Sequence, residues 1–197
     1  MLYTRSRSST FARSDTAVPI ISETRDYNGF AAKVRRLRLN GLVKEATSTL
    51  TGFTLRIQEQ PLANGTQGLR KTIDAGFVTF GGWIKKPVGG IDWTKRNRRD
   101  ASLGVEVQVS GRSDMLAVDI LHLSAELLAG RIDVGLIIVP DDHLSRFLTD
   151  RTPNFRTAIK HIEARASDLP FRVLAFRHDG TGPALEKMRT NVGRART

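Results

Sequence analysis

The fold is decided by a stretch in the middle of the chain, which reads Gly89-Gly90-Ile91-Asp92-Trp93-Thr94-Lys95, then a basic interruption, then Leu103-Gly104-Val105-Glu106-Val107-Gln108-Val109-Ser110. Apolar residues occupy every second position of the last segment, as a half-buried β-strand requires. This alternation places Glu106 and Gln108 together on the face opposite the valines. The stretch therefore predicts a β-hairpin with polar side chains on one face.

The basic interruption from Arg96 to Ser102 places the turn of this hairpin near Arg99. With that centre, Asp92 and Glu106 are direct cross-strand neighbours, with Cβ atoms roughly 5 Å apart. Two carboxylates at that distance repel unless a positive charge lies between them, and Mg²⁺ is a hard cation that binds carboxylate oxygens. The pairing therefore predicts a metal site. The alternative is an amphipathic hairpin whose acids simply face water, and a slip of one residue would remove the pairing.

Three motifs follow one another between residues 89 and 178: Ile-Asp-Trp-Thr-Lys at 91–95, Gly-Val-Glu-Val-Gln-Val at 104–109, and Arg-Ile-Asp-Val-Gly at 131–135 before an apolar run that ends at Pro140. In this order they resemble the BglII/BstYI group of restriction endonucleases, a branch of the PD-(D/E)XK nuclease fold. The Asp and the Glu-x-Gln pair are the specific parts, since Gln in place of the usual Lys marks this branch. The resemblance implies an α/β fold with a PD-(D/E)XK core, a mixed central sheet flanked by helices.

The same resemblance implies a type II site-specific deoxyribonuclease that hydrolyses phosphodiester bonds of double-stranded DNA with Mg²⁺, within a restriction-modification system. It assigns Asp92 and Glu106 to the metal, and the strand direction adds the main-chain carbonyl of Val107. Gln108 carries no charge and can only orient water or a phosphate oxygen through hydrogen bonds. We therefore expect a nearby cation, Lys95, to contribute electrostatic stabilisation in catalysis.

Two features depart from the family pattern. The segment between Asp92 and Glu106 is longer than expected, which leaves Asp100 as a rival metal ligand. The family also has an Asn upstream of its site, for which Asn64 and Gln67 are the available candidates here.

The composition limits the classes of partner. The chain has 197 residues with 40% hydrophobic content, which suits one folded domain. Its net charge of +11 indicates a polyanionic partner such as nucleic acid. Anionic membranes would also fit the charge alone. Cysteine is absent and the four histidines lack zinc-site spacing, so a thiol nucleophile and a zinc centre are not expected. No apolar run approaches the roughly 18 residues of a membrane helix, so we expect a cytoplasmic protein without a membrane partner. Nothing implies a protein cofactor.

The domain organisation predicted from these features has three parts: a flexible basic arm at residues 1–25, a single nuclease domain at 26–178, and a flexible basic tail at 179–197. The arm is rich in Arg and Ser, a composition that an organellar transit peptide shares.

Periodicity and turn residues predict the elements around the hairpin. They are a helix capped by Asp26 or Asn28 and broken at Gly41, a helix through 42–50, a strand at 53–57, a helix at 69–80, a helix at 114–129 ended by Gly130, an interior strand at 131–139, helices starting after Pro140 and Pro153, and a closing strand at 171–176.

Basic and amide side chains on the predicted loops are the candidates for DNA contact: Lys85, Lys86, Arg112, Arg151, Thr152, Asn154 and Arg156. Arg and Asn suit bidentate contact with guanine and adenine edges, so the last four are predicted to read bases. The alternatives are simple solvation for the lysines and an ordinary helix start for the segment around Asn154.

A homodimer follows from the expected substrate, since cutting both strands of a palindrome calls for two sites related by two-fold symmetry. The alternative function is a basic nucleic-acid-binding protein without catalysis. The paired acids argue against it, because a pure binder gains nothing from carboxylates that face phosphates.

Overall fold

A computed structural model describes residues 18–85, 90–109 and 113–187 of the chain. Its helices are α1 (Phe30–Arg36), α2 (Asn40–Thr51), α3 (Gln67–Thr79), α4 (Ser113–Leu128) and α5 (Phe155–Arg165), with a 3₁₀ helix at Leu144–Phe147. Its strands are β1 (Ile20–Asp26), β2 (Arg56–Ile57), β3 (Ile84–Lys85), β4 (Trp93–Arg96), β5 (Ser102–Val107), β6 (Val134–Pro140), β7 (Phe171–Arg177) and β8 (Gly180–Thr181).

A mixed sheet lies at the centre, and its strand order over the described residues is β1-β7-β6-β5-β4-β3. β5, β6 and β7 run parallel, whereas β4 is antiparallel to β5, β3 to β4 and β1 to β7. β2 and β8 form a separate parallel pair. The predicted α/β architecture with a mixed central sheet is therefore confirmed.

Helices cover both faces of this sheet. One hydrophobic core joins the sheet to α1, α2 and α3 through residues such as Phe30, Leu50 and Phe77. The other joins it to α4 and α5 through residues such as Ile120 and Ile162. Consecutive residues of β6 enter different cores: Leu136 and Ile138 the first, Ile137 and Val139 the second. This double burial explains why the strand is a continuous apolar run.

The helix predicted after the hairpin is confirmed within one residue at each end, as α4. Gly130 ends it with a φ of 67°, a left-handed conformation that glycine adopts without steric cost. The strand predicted to follow is confirmed as β6, and the interior position predicted for it is confirmed by its pairing with β5 and β7.

The structure corrects the predicted ends of the domain. The predicted arm overlaps β1, which pairs with β7, so the sheet begins at Ile20 and residues 1–17 lie outside the described part. Likewise β8 pairs with β2 inside the predicted tail, and Leu185 packs against the first core. The closing strand predicted at 171–176 is confirmed as β7, which is an interior strand because β1 pairs along it.

Several local predictions near the start of the fold are also corrected. Asp26 ends β1 and does not cap a helix, while Gly29, not Asn28, precedes α1 as its N-cap. Gly41 lies inside α2, which begins at Asn40. The strand predicted at 53–57 is reduced to β2, and the helix predicted after Pro140 is the 3₁₀ turn. No helix within the described residues is long and apolar enough to cross a membrane.

Candidate active site

The hairpin has the predicted register. Trp93 pairs with Val105 and Arg96 with Ser102, so Asp92, just before β4, faces Glu106 in β5. The turn closes where Asn97 N donates to Ala101 O at 2.8 Å. The alternation in the sequence, together with a turn centred near Arg99, predicts this register.

The polar face of β5 is buried, which corrects the expectation of a half-buried strand. Glu106 is 2% exposed, and Asp92 and Gln108 are each 8% exposed. The reason is that β5 lies between β4 and β6 and α4 covers the face away from the valines. The acids therefore do not simply face water, and the amphipathic-hairpin alternative does not describe them.

Asp92 is fixed from two sides. Its Oδ2 accepts a hydrogen bond from the backbone N–H of Val107 at 2.9 Å. Its Oδ1 lies 2.7 Å from an NH2 nitrogen of Arg70, which reaches the site from α3. These contacts tie the start of β4 and the end of β5 to the helix layer on the other face of the sheet.

Glu106 has the most perturbed ionisation in the site. Burial and the neighbouring Asp92 raise the pKa of its carboxyl to about 10, and Asp119 adds to this shift. Its Oε1 is buried without a hydrogen-bond partner. In this state Glu106 is a neutral acid at pH 7, with one oxygen free to accept a ligand.

Arg70 supplies the positive charge of the site. Besides Asp92, it donates from NH1 to the carbonyl oxygen of Val107 at 2.6 Å and from Nε to Asp74 at 3.1 Å. Although burial alone would lower it, these two carboxylates raise the pKa of Arg70 above its usual range. Arg70 was not predicted as a site residue. The only signal in the sequence is its i,i+4 spacing from Asp74 beside the buried positions of α3, which is typical of an ordinary ion pair.

Asp74 anchors this arginine to the rim of the site. It accepts hydrogen bonds from Trp93 Nε1 at 2.9 Å and from Lys85 Nζ at 2.8 Å. Against the opposing effect of burial, these donors and Arg70 lower the pKa of Asp74. A chain of contacts thus runs from Lys85 through Asp74 and Arg70 to Asp92.

Gln108 is held by a second acid, Asp119 of α4, which accepts from its side-chain nitrogen. The Oε1 of Gln108 is buried and has no hydrogen-bond partner among the described residues. Burial first, and then the charge of Asp92, raise the pKa of Asp119 to about 6. The apolar positions of α4 predict Asp119 on the less buried side of the helix and outside the site, and this prediction is corrected, because Asp119 contacts Gln108.

The position of Lys95 argues against its predicted catalytic role. Its Nζ donates to Glu45 and to the carbonyl of Gly81, both at 2.7 Å, and lies over the Trp83 ring at 5.7 Å. Strand alternation places Lys95 and Asp92 on opposite faces of β4. Arg70, not Lys95, is therefore the cation near the carboxylates.

The other predicted metal-site candidates lie apart from this cluster. The side chain of Asp100 is 85% exposed in the hairpin turn and pairs with Arg96, so Asp92 is the acid that meets Glu106. Asn64 is fully buried and bonds to Gln58, Phe147 and Leu185, which makes it a structural residue. Gln67 is the first residue of α3, one turn before Arg70.

The predicted DNA-contact residues divide into three groups. Lys85 is 47% exposed in its side chain and lies at the rim of the site through its contact with Asp74, whereas Lys86 and Arg112 lie outside the described residues. Asn154 caps α5 by accepting from Thr157 N at 2.9 Å, and the buried Thr152 bonds to Thr149, so the helix-start alternative describes both.

Arg151 and Arg156 form the third group, with side chains that are 59% and 87% exposed. Base reading by these two arginines stays a prediction.

The donor set fits a hard divalent cation. Asp92, Glu106 and the Val107 carbonyl are oxygen donors, and the Oε1 of Glu106, which has no hydrogen-bond partner among the described residues, is available as a ligand. Among the described residues no group of three or more Asp, Glu or His side chains converges on one position, so the protein ligands would be two carboxylates and a carbonyl. Glu106 would have to lose its proton, and Arg70 would compete for two of these oxygen groups.

Comparison with known proteins supports the fold. No family model and no curated protein matches the sequence. The structure is similar to the restriction endonuclease BglII in complex with a DNA 16-mer, with a TM-score of 0.57, 19% identity, and coverage of 85% of this chain and 79% of that chain. Free BglII gives a TM-score of 0.51 at 19% identity, with coverage of 85% and 81%. The chain therefore has a restriction-endonuclease-like fold, as the resemblance implied.

Proposed function

We propose that this protein is a Mg²⁺-dependent endonuclease that hydrolyses phosphodiester bonds at a short palindromic site in double-stranded DNA. The observation that carries the proposal is the buried pair of acids, Asp92 and Glu106, opposite each other at the end of β5. Burial makes such a pair costly for folding, so its presence on a restriction-endonuclease-like fold supports a catalytic use.

Each residue of the cluster has a role that follows from its contacts. Asp92, Glu106 and the carbonyl of Val107 would hold the metal. A bound Mg²⁺ would supply Lewis-acid activation of the scissile phosphate and of water. Gln108, oriented by Asp119, would position a water molecule with its amide oxygen, which has no hydrogen-bond partner among the described residues. Arg70 is the nearest described cation to balance charge that develops on the phosphate.

The substrate class is supported by charge and by the similar structure. The net charge of +11 favours a polyanion. The exposed side chains of Arg151 and Arg156, which pair with Asp150 and Asp142, could exchange these partners for phosphates. BglII, the protein of similar fold, is bound to DNA in its complex. We extend that partner to this chain, and we propose a homodimer because a palindrome presents the same phosphate twice.

Plasmid cleavage tests the proposal. Purified protein is incubated with supercoiled DNA of mixed sequence in Mg²⁺ or in EDTA, together with Asp92→Asn and the matched control Asp100→Asn. We expect discrete fragments only with Mg²⁺, loss of cleavage by orders of magnitude in Asp92→Asn, and normal cleavage by the control. Binding of DNA without any cleavage would favour the non-catalytic alternative. Loss of activity in Asp100→Asn alone would move the metal site to the hairpin turn.

A further inference from the structure

Arg70 contacts two of the three oxygen groups that would bind the metal. Its two terminal nitrogens lie 2.7 Å from Asp92 Oδ1 and 2.6 Å from the Val107 carbonyl oxygen. Both distances are short for hydrogen bonds between nitrogen and oxygen, as expected for bonds from a charged donor. The guanidinium therefore bridges Asp92, just before β4, and Val107, at the end of β5, and both belong to the proposed set of metal ligands.

A divalent cation would compete with the guanidinium at these atoms. Each hydrogen bond from Arg70 uses one lone pair of the oxygen that accepts it, which leaves fewer lone pairs for a cation. The two positive charges would also repel strongly in a buried site. The contacts of Arg70 therefore oppose the binding of a metal at Asp92 and Val107.

Arg70 is half-buried beside the acids for which it competes. It pairs with Asp92, and only 18% of its side chain is exposed to water. The guanidinium therefore offsets the charge of Asp92 from inside the cluster.

We propose that Arg70 is a built-in competitor for the divalent cation, so that its contacts to Asp92 and Val107 weaken metal loading. The inference rests on the proposed function, because it concerns the metal of the same site. Asp74 holds the Nε of Arg70 independently of Asp92, and is itself held by Trp93 and Lys85. The displaced guanidinium therefore keeps an acidic partner at the rim, which lowers the cost of exchange.

Direct cation binding tests the proposal without reference to cleavage. The dissociation constant for Mn²⁺ is measured by titration calorimetry, and by the loss of free-ion resonance signal, in the wild-type protein and in Arg70→Met. We expect Arg70→Met to bind Mn²⁺ at least about tenfold more tightly, because the ion no longer breaks charge-assisted hydrogen bonds. Lys71→Met is the matched control: it removes the same charge from the exposed neighbouring position of α3 and should leave affinity nearly unchanged.

Two further variants guard against a trivial result. Arg70→Lys keeps the charge but cannot reach both oxygens with a planar fork, so its Mn²⁺ affinity should lie between those of the wild type and Arg70→Met. It also carries the test if Arg70→Met fails to fold by circular dichroism. In Asp92→Asn, the added Arg70→Met change should bring a smaller gain than in the wild type, because only the contact of Arg70 with Val107 remains.

The outcomes separate this proposal from the function itself. Equal or weaker Mn²⁺ binding by the folded Arg70 variants overturns the competition, even if the wild-type protein cleaves DNA. Tighter binding by Arg70→Met in a protein that never cleaves DNA would support the competition and refute the nuclease. Absence of Mn²⁺ binding in every variant would refute both.

Discussion

Replacement of Glu106 by Gln is expected to stabilise the protein in the absence of divalent cations while removing a ligand of the proposed metal site. The change keeps the shape of the side chain and makes permanent the neutral state that Glu106 already has. Its buried position and its neighbours Asp92 and Asp119 raise the pKa from 4.5 to about 10. Gln can still donate a hydrogen bond to Asp92, as the protonated acid does.

The size of the effect follows from proton linkage. Between pH 4.5 and about 10 the folded protein keeps a proton on Glu106 that the unfolded chain releases. Stability is therefore lost as pH rises through this window, by about 1.4 kcal/mol per pH unit, and is unaffected below it. At pH 7 the wild-type protein has lost about 3 kcal/mol, which Glu106→Gln should regain.

Urea unfolding in EDTA at pH 5, 6, 7 and 8 measures this difference. The gap between Glu106→Gln and wild type should widen steadily with pH. A saturating divalent cation should then stabilise the wild-type protein by about 2.7 kcal/mol at a hundredfold excess over its dissociation constant, and the variant hardly at all. DNA affinity without metal should be equal in both proteins, since Glu106 carries no charge to remove.

Asp100→Asn provides the control, because its exposed carboxylate lies in the turn of the same hairpin. Its stability should stay within about 0.5 kcal/mol of wild type at every pH. If Glu106→Gln is less stable than wild type at pH 7, or if the two pH profiles run parallel, then Glu106 is ionised in the folded protein. Burial would then not keep the Glu106 carboxyl protonated.

Four further predictions concern the rest of the molecule. The protein should be a homodimer on its DNA site, and light scattering that finds a monomer cutting both strands would refute this. The logarithm of DNA affinity should fall linearly with the logarithm of salt concentration, with a slope of about −0.9 per phosphate contact; a flat response would exclude nucleic acid as the partner. Lys95→Met should leave the cleavage rate unchanged, because its ammonium is bound to Glu45 on the other face of β4; a large loss in a plasmid assay would restore its catalytic role. Gly135→Ala should lower the free energy of unfolding by about 1–3 kcal/mol, since the new Cβ would lie 2.5 Å from Cε1 of Phe171. An unchanged melting temperature would show that Phe171 can move to accommodate the methyl group.

Short-range patterns were sufficient for the parts of the fold that depend on neighbours in sequence. The alternation from Leu103 to Val109 and the turn around Arg99 determined the hairpin register, and with it the pairing of Asp92 with Glu106. The continuous apolar run of β6 identified an interior strand, because only double burial tolerates such a run. Both inferences use side-chain periodicity, which the backbone geometry imposes locally.

Contacts between distant segments could not be predicted from the sequence. The sequence predicts β1 as part of an arm, because its pairing partner, β7, lies near the other end of the chain. Closeness in sequence predicts Lys95 as the cation of the site. In the structure Lys95 lies on the opposite face of the strand, and the cation beside Asp92 is Arg70 of α3. Asn154 and Thr152 were open to two interpretations until the cap of α5 fixed their hydrogen bonds.

By itself, the sequence determined which side chains share a face and which acids oppose each other. Only the tertiary structure decided what covers that face, and so whether the acids are charged. Periodicity is a property of one strand, but the pKa of Glu106 depends on burial beneath another element and on the charges that packing brings beside it. The same two carboxylates on an exposed hairpin would both be ionised, whereas here one keeps its proton and the other is paired with Arg70.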